Sequence, residues 1–441
     1  MGTAVSILEQ RLSEGISDYL QVAVTTAIAA NNSIISTSLL AYDGGRDDYW
    51  IGHWVYITTE TNAGVLRQIS DYATATGTLT VRGAALSSDT AALAVIRIHR
   101  YDRDKIIDAM NEASMETYPH LHTKFDIADL VTGNALPNGH FSDWAVTTVP
   151  NKYALSNVTA LATTTTTLIR GSTKSAKVSS TAGNGYMYVT SYDYPKLLDL
   201  ANTTVDFRCW AYPEVANDAT LVIYTIKANG TAQTLSSTTA CPAGKWTLLE
   251  LNRQNINADI VEIQFRFKIT TNAKYVYFDN ARVQGGVIQH EYLMPTSIKD
   301  GQIGNVYIQV SRYSSDYACD DLVPQSWRKV YTYDVRNDGT DRWLILLDDI
   351  SREYLIRLEG TKPLPTVSAY TDTIEIDGKQ LQLWLAYAKY VLFKMIKAPL
   401  SSEDTSRYQN ELAQAYGEYL RLLRGSSAMA RRPRALKLPV I

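Results

Sequence analysis

Cysteine is scarce in this sequence of 441 residues. Cys209, Cys241 and Cys319 are its only cysteines; they lie far apart, and no CxxC pair occurs. This spacing argues against a zinc knuckle and against a scaffold held together by disulfides. The simplest interpretation is that all three are small apolar residues within strands.

Long apolar runs and a large net charge are also lacking. No run approaches the length of a membrane span, and the N-terminus has no basic region followed by an apolar core. The formal net charge of −3 gives no general reason to expect nucleic acid or an anionic membrane as a partner. We therefore expect a soluble protein with no visible export signal and no membrane partner.

Recognisable catalytic motifs are absent as well. No GxSxG, P-loop, GxGxxG or HExxH occurs. Adjacent strand residues point to opposite faces, so neither Asp320–Asp321 nor Asp348–Asp349 is arranged for hydrolytic acid–base chemistry. His120 and His122 would share a strand face, but no cysteine or acidic cluster accompanies them as metal ligands. We expect a protein that is not an enzyme and needs no cofactor.

The first part of the chain, residues 1–132, is predicted to contain a helix, short strands and a second helix. Apolar residues recur every three to four positions over residues 5–30, which predicts an amphipathic helix. Short β-type runs broken by turn signals fill residues 34–98 and predict a compact antiparallel unit of four or five strands. The second helix has Asp102 as its N-cap and ends at Pro119.

A later part, residues 286–424, again combines strands and helices. Strands are predicted near residues 304–310, 328–334, 342–347 and 353–358. The apolar stripes of the last two segments predict a pair of antiparallel helices, which Gly425 closes.

Between these two parts, residues 133–285 are rich in threonine and in strand-like alternation, and helical periodicity is lost. The segment opens with NGHFSDW and closes with VYFDNARV, and alternating runs such as GYMYVTSY and ATLVIYTIK lie between them. These end motifs and runs resemble the carbohydrate-binding jelly-roll modules that are appended to xylanases and related glycoside hydrolases. The resemblance implies an all-β jelly-roll sandwich.

Two strands of this module carry the candidate glycan-binding residues. In TVDFRCWAY the alternation sets Arg208, Trp210 and Tyr212 on one face, and in VEIQFRFKI it sets Gln264 and Arg266 on one face. In modules of this kind aromatic rings stack on sugars, while amides and guanidinium groups bind the hydroxyls, so we interpret these five residues as a glycan-binding set. The alternative is that Trp210 and Tyr212 only border the core.

The same resemblance points to a metal ligand. In that family a structural calcium often bridges the opening motif and the closing aspartate through oxygen ligands. Asp279 matches the closing aspartate, but Ser142 stands where a carboxylate is common in the opening motif. A structural calcium at Asp279 is therefore the one metal that the resemblance implies.

The two outer parts resemble the head-to-tail connector, or adaptor, proteins of tailed bacteriophages. The residues that carry this resemblance are DDYWIGHWVYITTETNAGVLRQISDYATATGTLTV, DRDKIIDAMNEASMETYPHL and the terminal helices beginning LQLWLAYAKYVLFKMI. It implies a ring, usually of twelve copies, bound to the portal and to downstream neck or tail proteins and enclosing the path of double-stranded DNA. The protein would be made in the host cytoplasm and located at the head–tail junction of the virion.

This resemblance leads to a definite fold class. We predict an α+β protein: a helical connector domain with a small antiparallel β unit, interrupted by an all-β jelly-roll sandwich over residues 133–285. The inserted module would be an outward decoration domain that binds surface glycans or braces the neck.

The last segment, residues 425–441, is predicted to be a basic C-terminal arm. It contains Arg431, Arg432, Arg434 and Lys437 and no acidic residue. Connector proteins commonly dock on the portal through their C-terminal segment, so the resemblance assigns portal docking to this arm. The alternatives are contacts with DNA phosphates and a solvated, disordered tail.

Two other functions compete with the connector interpretation. One is a tail or receptor-binding adhesin, although no repeat of 20 to 50 residues is apparent. The other is a glycan-binding accessory protein. An extracellular glycan-active enzyme that carries such an accessory module would require a catalytic domain, which the sequence does not show.

Overall fold

The structure is a computed structural model. It describes residues 2–16, 18–89, 92–144, 146–169, 173–286, 289–309, 327–348, 350, 354–369, 371–376, 378–395 and 402–429. These residues fall into two compact units. Unit 1 lies within residues 1–123 and 363–441, and unit 2 lies within residues 124–362. One compact unit is therefore interrupted in sequence by another.

Each unit consists of several strands with a few helices. The elements of the first stretch of unit 1 are β1 (Thr3–Ala4), α1 (Val5–Gly15), β2 (Leu20–Ala23), β3 (Ser33–Ile35), β4 (Trp54–Ile57), β5 (Leu66–Ala73), β6 (Thr78–Val81), β7 (Val95–His99) and α2 (Arg103–Glu116). The next strand, β8 (Thr123–Val131), leads into unit 2. The strands of unit 2 that follow are β9 (Ala154–Ser156), β10 (Val158–Thr163), β11 (Ser175–Ser180), β12 (Gly185–Thr190), β13 (Thr204–Pro213), β14 (Ala219–Lys227), β15 (Ala232–Ser236), β16 (Thr247–Asn255), β17 (Ile260–Ile269), β18 (Tyr275–Gln284), β19 (Glu291–Leu293), β20 (Gln302–Gln309), β21 (Trp327–Val330), β22 (Tyr333–Asn337), β23 (Arg342–Leu346) and β24 (Leu355–Lys362). Unit 1 resumes with β25 (Thr373–Ile374), α3 (Gly378–Met395) and α4 (Ser402–Met429). Short 3-10 helices lie at Thr37–Ala41, Thr166–Leu168, Pro195–Leu200 and Thr296–Ile298.

The β part of unit 1 is a six-stranded sheet in the order β2-β7-β4-β5-β6-β3. The helix predicted over residues 5–30 ends at Gly15, and Leu20–Ala23 instead pair with β7 as an antiparallel strand. Leu20, Val22 and Val24 alternate with polar or small residues, and Val22 and Val24 are buried. The two-residue period of a strand therefore prevails over the helical spacing in this segment.

The helices of unit 1 share a second core. The side chain of Asp102 caps α2 as predicted, because it accepts a hydrogen bond from the backbone N–H of Asp104 at 3.0 Å. Trp384 of α3 is fully buried, and its Nε1 donates to Ser114 of α2 at 3.1 Å. The last helix was expected to end at Gly425, but α4 continues to Met429.

A buried ion pair ties α1 to the sheet of unit 1. The carboxylate of Glu9 is fully buried and lies 2.7 Å from a terminal nitrogen of Arg97 on β7. His99, two residues along the same strand, has its Nε2 3.6 Å from the other oxygen of Glu9. A charge buried in this way requires a partner, since desolvation would otherwise cost several kcal/mol, about the scale of a domain's whole stability.

Unit 2 contains a β-sandwich, which confirms the jelly-roll-like β fold predicted from the module resemblance. The front sheet has the order β15-β14-β17-β12-β9, and the back sheet has the order β10-β11-β18-β13-β16. All neighbouring strands in both sheets are antiparallel. Cys209 is buried on β13, as predicted; Cys241 is also buried but lies in the loop between β15 and β16, where no strand was found, and Cys319 lies outside the described residues.

Aromatic rings fill the space between the two sheets. Phe267 of the front sheet lies 5.4 Å, between ring centroids, from both Phe207 and Phe278 of the back sheet. Phe141 of the opening motif lies 5.6 Å from Phe267. All four side chains are fully buried, and edge-to-face contacts of this kind add to the hydrophobic contribution of each ring.

The opening motif NGHFSDW closes one end of this core. Asn138 binds the backbone of Asp143 on both sides, accepting from its N–H at 3.1 Å and donating to its carbonyl at 2.7 Å. The Asp143 carboxylate accepts from the backbone N–H of Thr296 at 3.0 Å. Trp144 donates from its indole to the carbonyl of Phe141 at 2.6 Å. The motif is therefore a folded loop that inserts Phe141 between the sheets.

The predicted fold class is wrong. The described residues form twenty-five strands and four α-helices, so the chain is β-rich and is not a helical connector domain with one inserted β module. The strands predicted after residue 286 exist, but they join β8 in the four-stranded sheet β21-β20-β24-β8 or form the three-stranded sheet β19-β23-β22, both within unit 2. The predicted boundaries at 133 and 285 lie inside unit 2 and stay a prediction.

We predict that Phe267→Ala lowers the free energy of unfolding by about 3–5 kcal/mol, because it removes a fully buried ring from the centre of the sandwich. Urea unfolding followed by circular dichroism measures the change. Leu161→Ala is the matched control, since Leu161 is 53% exposed and its truncation should change stability by less than about 0.5 kcal/mol. Equal effects of the two substitutions would contradict the assigned core.

Candidate functional site

The outer face of the front sheet presents a row of polar side chains on β17. Phe265 and Phe267 are fully buried between the sheets, so the alternation of the strand directs Gln264, Arg266 and Lys268 outward. These three side chains are half-buried. The core and the outer face of this strand are therefore set by the same alternation.

Strand register brings three tyrosines beside this row. On β12, Tyr186 lies opposite Lys268 and Tyr188 lies opposite Arg266. On β14, Tyr224 lies opposite Gln264. We call the six residues together the tyrosine–arginine face: Tyr186, Tyr188, Tyr224, Gln264, Arg266 and Lys268.

Arg266 occupies the centre of this face. Its guanidinium carbon is 4.5 Å from the ring centroid of Tyr186 and 3.9 Å from that of Tyr224. Its Nε donates to the Oε1 of Gln264 at 2.7 Å. Cation–π contacts on both sides and this hydrogen bond restrict the side chain to one position. The guanidinium is therefore held in place before any ligand arrives.

Tyr188 supplies a protonated phenol at neutral pH. Burial raises the pKa of Tyr188, and the neighbouring Tyr186 and Asp193 raise it further, while Arg266 opposes them. Its ring centroid is 5.4 Å from that of Tyr186. The hydroxyl of Tyr188 can therefore donate a hydrogen bond as well as accept one.

A carboxylate lies at the edge of the same face but is already engaged. Glu262 is 6% exposed. One oxygen of this carboxylate accepts hydrogen bonds from the amide of Gln264 and from the hydroxyl of Thr190. Glu262 thus holds Gln264, which in turn holds Arg266.

The five residues predicted from sequence lie on two different sheets. Gln264 and Arg266 belong to the front sheet, whereas Arg208, Trp210 and Tyr212 are on β13 of the back sheet. Because both sets face away from the shared core, they lie on opposite sides of the sandwich and cannot contact one ligand together. The structure therefore joins only two of the five in one site.

Arg208 and Tyr212 of the back sheet contact neighbouring side chains outside the predicted set. Arg208 pairs with Glu250 at 3.3 Å. The ring of Tyr212 lies 5.6 Å from Trp246 at an interplanar angle of 59° and 6.0 Å from Tyr277 at 72°. The first pair is tilted and the second packs edge to face, so these rings do not form one flat surface.

Sequence reasoning missed the three tyrosines of the tyrosine–arginine face. The alternation in GYMYVTSY does place Tyr186 and Tyr188 on one side of a strand. Nothing in the sequence shows that β12 and β14 flank β17, and that pairing is what brings the tyrosines to Arg266.

Asp279, the predicted calcium ligand, is buried and bonded within the protein. The Asp279 carboxylate accepts a hydrogen bond from the backbone N–H of Asn280 at 2.7 Å. In the back sheet, Asp279 lies opposite Trp210. The hydroxyl of Ser142 interacts with Asp129. No group of three or more His, Cys, Asp or Glu side chains able to share a metal occurs in the part of the chain that the structure describes.

The other sequence candidates do not form a site. His122 has its Nδ1 3.0 Å from the carbonyl of Pro119, and the hydroxyl of Thr332 donates to the carboxylate of Asp348. Asp320–Asp321 and Asp349, for which no catalytic role is expected, lie outside the described residues, as do the predicted portal-docking residues Arg431, Arg432, Arg434 and Lys437. Among the helices that are described, none combines the length and the apolar character needed to cross a membrane.

Comparisons with known proteins return similar structures only. No protein family model matches the sequence, and no curated protein matches it. The CBM22-1 xylan-binding domain of Paenibacillus barcinonensis Xyn10C is 13% identical, with a TM-score of 0.28, over 35% of this chain and 96% of that domain. The C-terminal family 22 carbohydrate-binding module of Clostridium thermocellum Xyn10B is 12% identical, with a TM-score of 0.28, over 36% of this chain and 98% of that module.

A bacteriophage structure is similar at the same level. The enzymatically active domain of tailspike protein 4 from bacteriophage CBA120 is 13% identical, with a TM-score of 0.26, over 35% of this chain and 21% of that chain. The similar structures thus include carbohydrate-binding modules and a tailspike domain. Similarities this weak say nothing about a ligand, so the function must be inferred from the side chains of this chain.

We predict that calcium does not stabilise the protein, because Asp279 has no set of carboxylates around it in the described residues. A metal that binds only the folded state would raise the melting temperature. Differential scanning calorimetry with added calcium, compared with EDTA and with magnesium, should show the same melting temperature in all three. A rise that calcium alone produces would restore the calcium site.

Proposed function

We propose that this protein binds glycans and that the tyrosine–arginine face is the binding site. The observation that carries the proposal is the position of Arg266, which is held between the rings of Tyr186 and Tyr224 on an outward-facing sheet. A cation fixed between two aromatic rings combines polar donors and apolar surfaces within one small area.

Sugars require this combination of chemistry. The faces of a pyranose ring carry C–H groups, which pack on aromatic rings, while its edge carries hydroxyls that donate and accept hydrogen bonds. In the tyrosine–arginine face, the tyrosines supply the apolar surfaces. Gln264, Arg266 and the phenol of Tyr188 supply the polar groups. Ligand sites typically combine an aromatic surface with a few precisely placed polar groups, as this face does.

The arrangement favours binding over catalysis. Glycoside hydrolysis generally uses two carboxyl groups that flank the scissile bond. Glu262 is the carboxylate that contacts the polar row of this face, and it is buried and bonded to Gln264 and Thr190. We therefore propose a binding protein that is not an enzyme.

Glycan binding suits two of the sequence interpretations equally: a tail or receptor-binding adhesin, and a glycan-binding accessory protein. Either could raise a weak affinity through several copies, because linked sites increase the effective concentration. The connector ring, its portal and DNA contacts and its place in the virion stay predictions, and the residues assigned to portal docking lie outside the described part of the chain.

The test is a double substitution, Tyr186→Ala with Tyr224→Ala, in the full chain. Affinity electrophoresis through gels that contain different neutral and acidic polysaccharides measures retention. We expect the unmodified chain to be retarded by at least one polysaccharide and the variant to bind about tenfold more weakly, since each aromatic contact contributes roughly 0.5–1.5 kcal/mol.

Tyr275→Ala serves as the matched control, because Tyr275 is a half-buried tyrosine of the back sheet. Its retention should equal that of the unmodified chain. Loss of retention in a Trp210→Ala, Tyr212→Ala variant, with the front-sheet variant unaffected, would move the site to the back sheet. No retention of the unmodified chain by any polysaccharide would refute glycan binding.

A further inference from the structure

The tyrosine–arginine face carries two positively charged side chains that lie outside the ion pairs of the described residues. Arg266 and Lys268 are two residues apart on β17, so they share a face with their Cα atoms about 7 Å apart. Among the described residues, neither side chain forms an ion pair with Asp or Glu.

Several other cations of unit 2 are paired. The ion pairs are Lys152 with Asp341 at 2.6 Å, Lys227 with Asp259 at 3.2 Å, Lys274 with Glu214 at 3.0 Å and Arg208 with Glu250 at 3.3 Å. Each of these pairs lies away from the row of Arg266 and Lys268. Arg266 and Lys268 are thus two neighbouring cations that have no ion-pair partner among the described residues.

The donors of Arg266 are divided between the protein and solvent. Its Nε is used by Gln264, whereas neither terminal nitrogen donates to a described residue. A guanidinium presents two parallel N–H groups that match the two oxygens of a carboxylate. The flanking tyrosines contact the guanidinium through their rings, so they hold its orientation without using these donors.

The neighbouring carboxylate forms no ion pair with either cation among the described residues. Glu262 is nearly inaccessible, and its hydrogen-bonded oxygen is used by Gln264 and Thr190. Lys268 lies opposite Tyr186 and Thr220 in register, and neither of these residues is acidic. An anion arriving from solvent would therefore meet both cations and displace only water.

We propose that the tyrosine–arginine face selects glycans whose sugars carry carboxylate groups. Arg266 binds one carboxylate through its two terminal nitrogens, and Lys268 adds a second positive charge beside it. The tyrosines contact the sugar ring. This inference rests on the proposed glycan binding and specifies the class of glycan.

The experiment compares each acidic polysaccharide with its own carboxyl-reduced form, in which the backbone is kept and the charge is removed. Polygalacturonate, alginate, hyaluronan and polysialic acid are immobilised in both forms, and binding of the full chain is measured by surface plasmon resonance. We expect at least one acidic polymer to bind tenfold or more tightly than its reduced form, which is the scale of a charge-assisted bidentate contact, about 1.5–3 kcal/mol.

Substitutions then locate the preference. Arg266→Gln should weaken binding of the acidic polymer about tenfold and weaken binding of the reduced polymer by a smaller factor, because only the acidic form has a carboxylate to lose its paired contact. Arg266→Lys keeps the charge but loses the paired donors, so it should restore only part of the affinity. Lys268→Gln should have a smaller effect of the same sign. If Arg266→Gln does not fold, the acidic preference is tested by two other results: weaker binding of the acidic polymer by Lys268→Gln, and tighter binding of the acidic than of the reduced polymer by the unmodified chain.

Arg253→Gln is the matched control for charge, because Arg253 is an exposed arginine on β16 of the back sheet. Its affinity for every polymer should equal that of the unmodified chain. Equal weakening by Arg253→Gln would show general electrostatic attraction and overturn the proposal. Equal binding of acidic and reduced polymers would overturn the acidic preference alone, whereas no binding to any polysaccharide would refute the proposed function as well.

Discussion

The two-residue period of β17 is the constraint on which the sandwich and its candidate site both depend. Phe265 and Phe267 point into the core, and burying each ring contributes about 1.5–3 kcal/mol. The residues between and beside them must then point out, which places Gln264, Arg266 and Lys268 on one outward-facing, half-buried row. A slip of one residue would expose the phenylalanines and bury two charges, so the same energetics that form the core hold the outer face in register.

The site itself is a product of three neighbouring strands. β17 supplies the cation, while β12 and β14 on either side supply the tyrosines that hold it. Because paired strands lie less than 5 Å apart, side chains from adjacent strands can meet on one face. Glu262 extends this support, since its carboxylate fixes Gln264 and Gln264 fixes Arg266. A flat array of this kind presents polar and apolar groups together without requiring a deep cleft.

The error in fold class has a physical origin in strand pairing between distant parts of the chain. β8 was not predicted, yet it completes a sheet with β24, and Asp126 of β8 forms an ion pair with Arg357 of β24. A strand of this kind carries a weak local signal, and its stability comes from a partner more than two hundred residues away. The amphipathic helices at the ends of the chain have strong local signals, so sequence reasoning gave them too much weight. Leu20–Ala23 was absorbed into a predicted helix for the same reason.

By itself, the sequence determined several features that depend only on neighbouring residues. The alternation in β13 and β17 correctly separated inward from outward side chains, Asp102 was recognised as a helix cap, and the two end motifs predicted a β-sandwich. Only the tertiary structure decided which outward side chains share a face. It placed Arg208 and Arg266 on opposite sheets and brought Tyr186 and Tyr224 to Arg266. The reason is that alternation specifies two sides for each strand separately, whereas the order of strands in a sheet depends on long-range packing of the core.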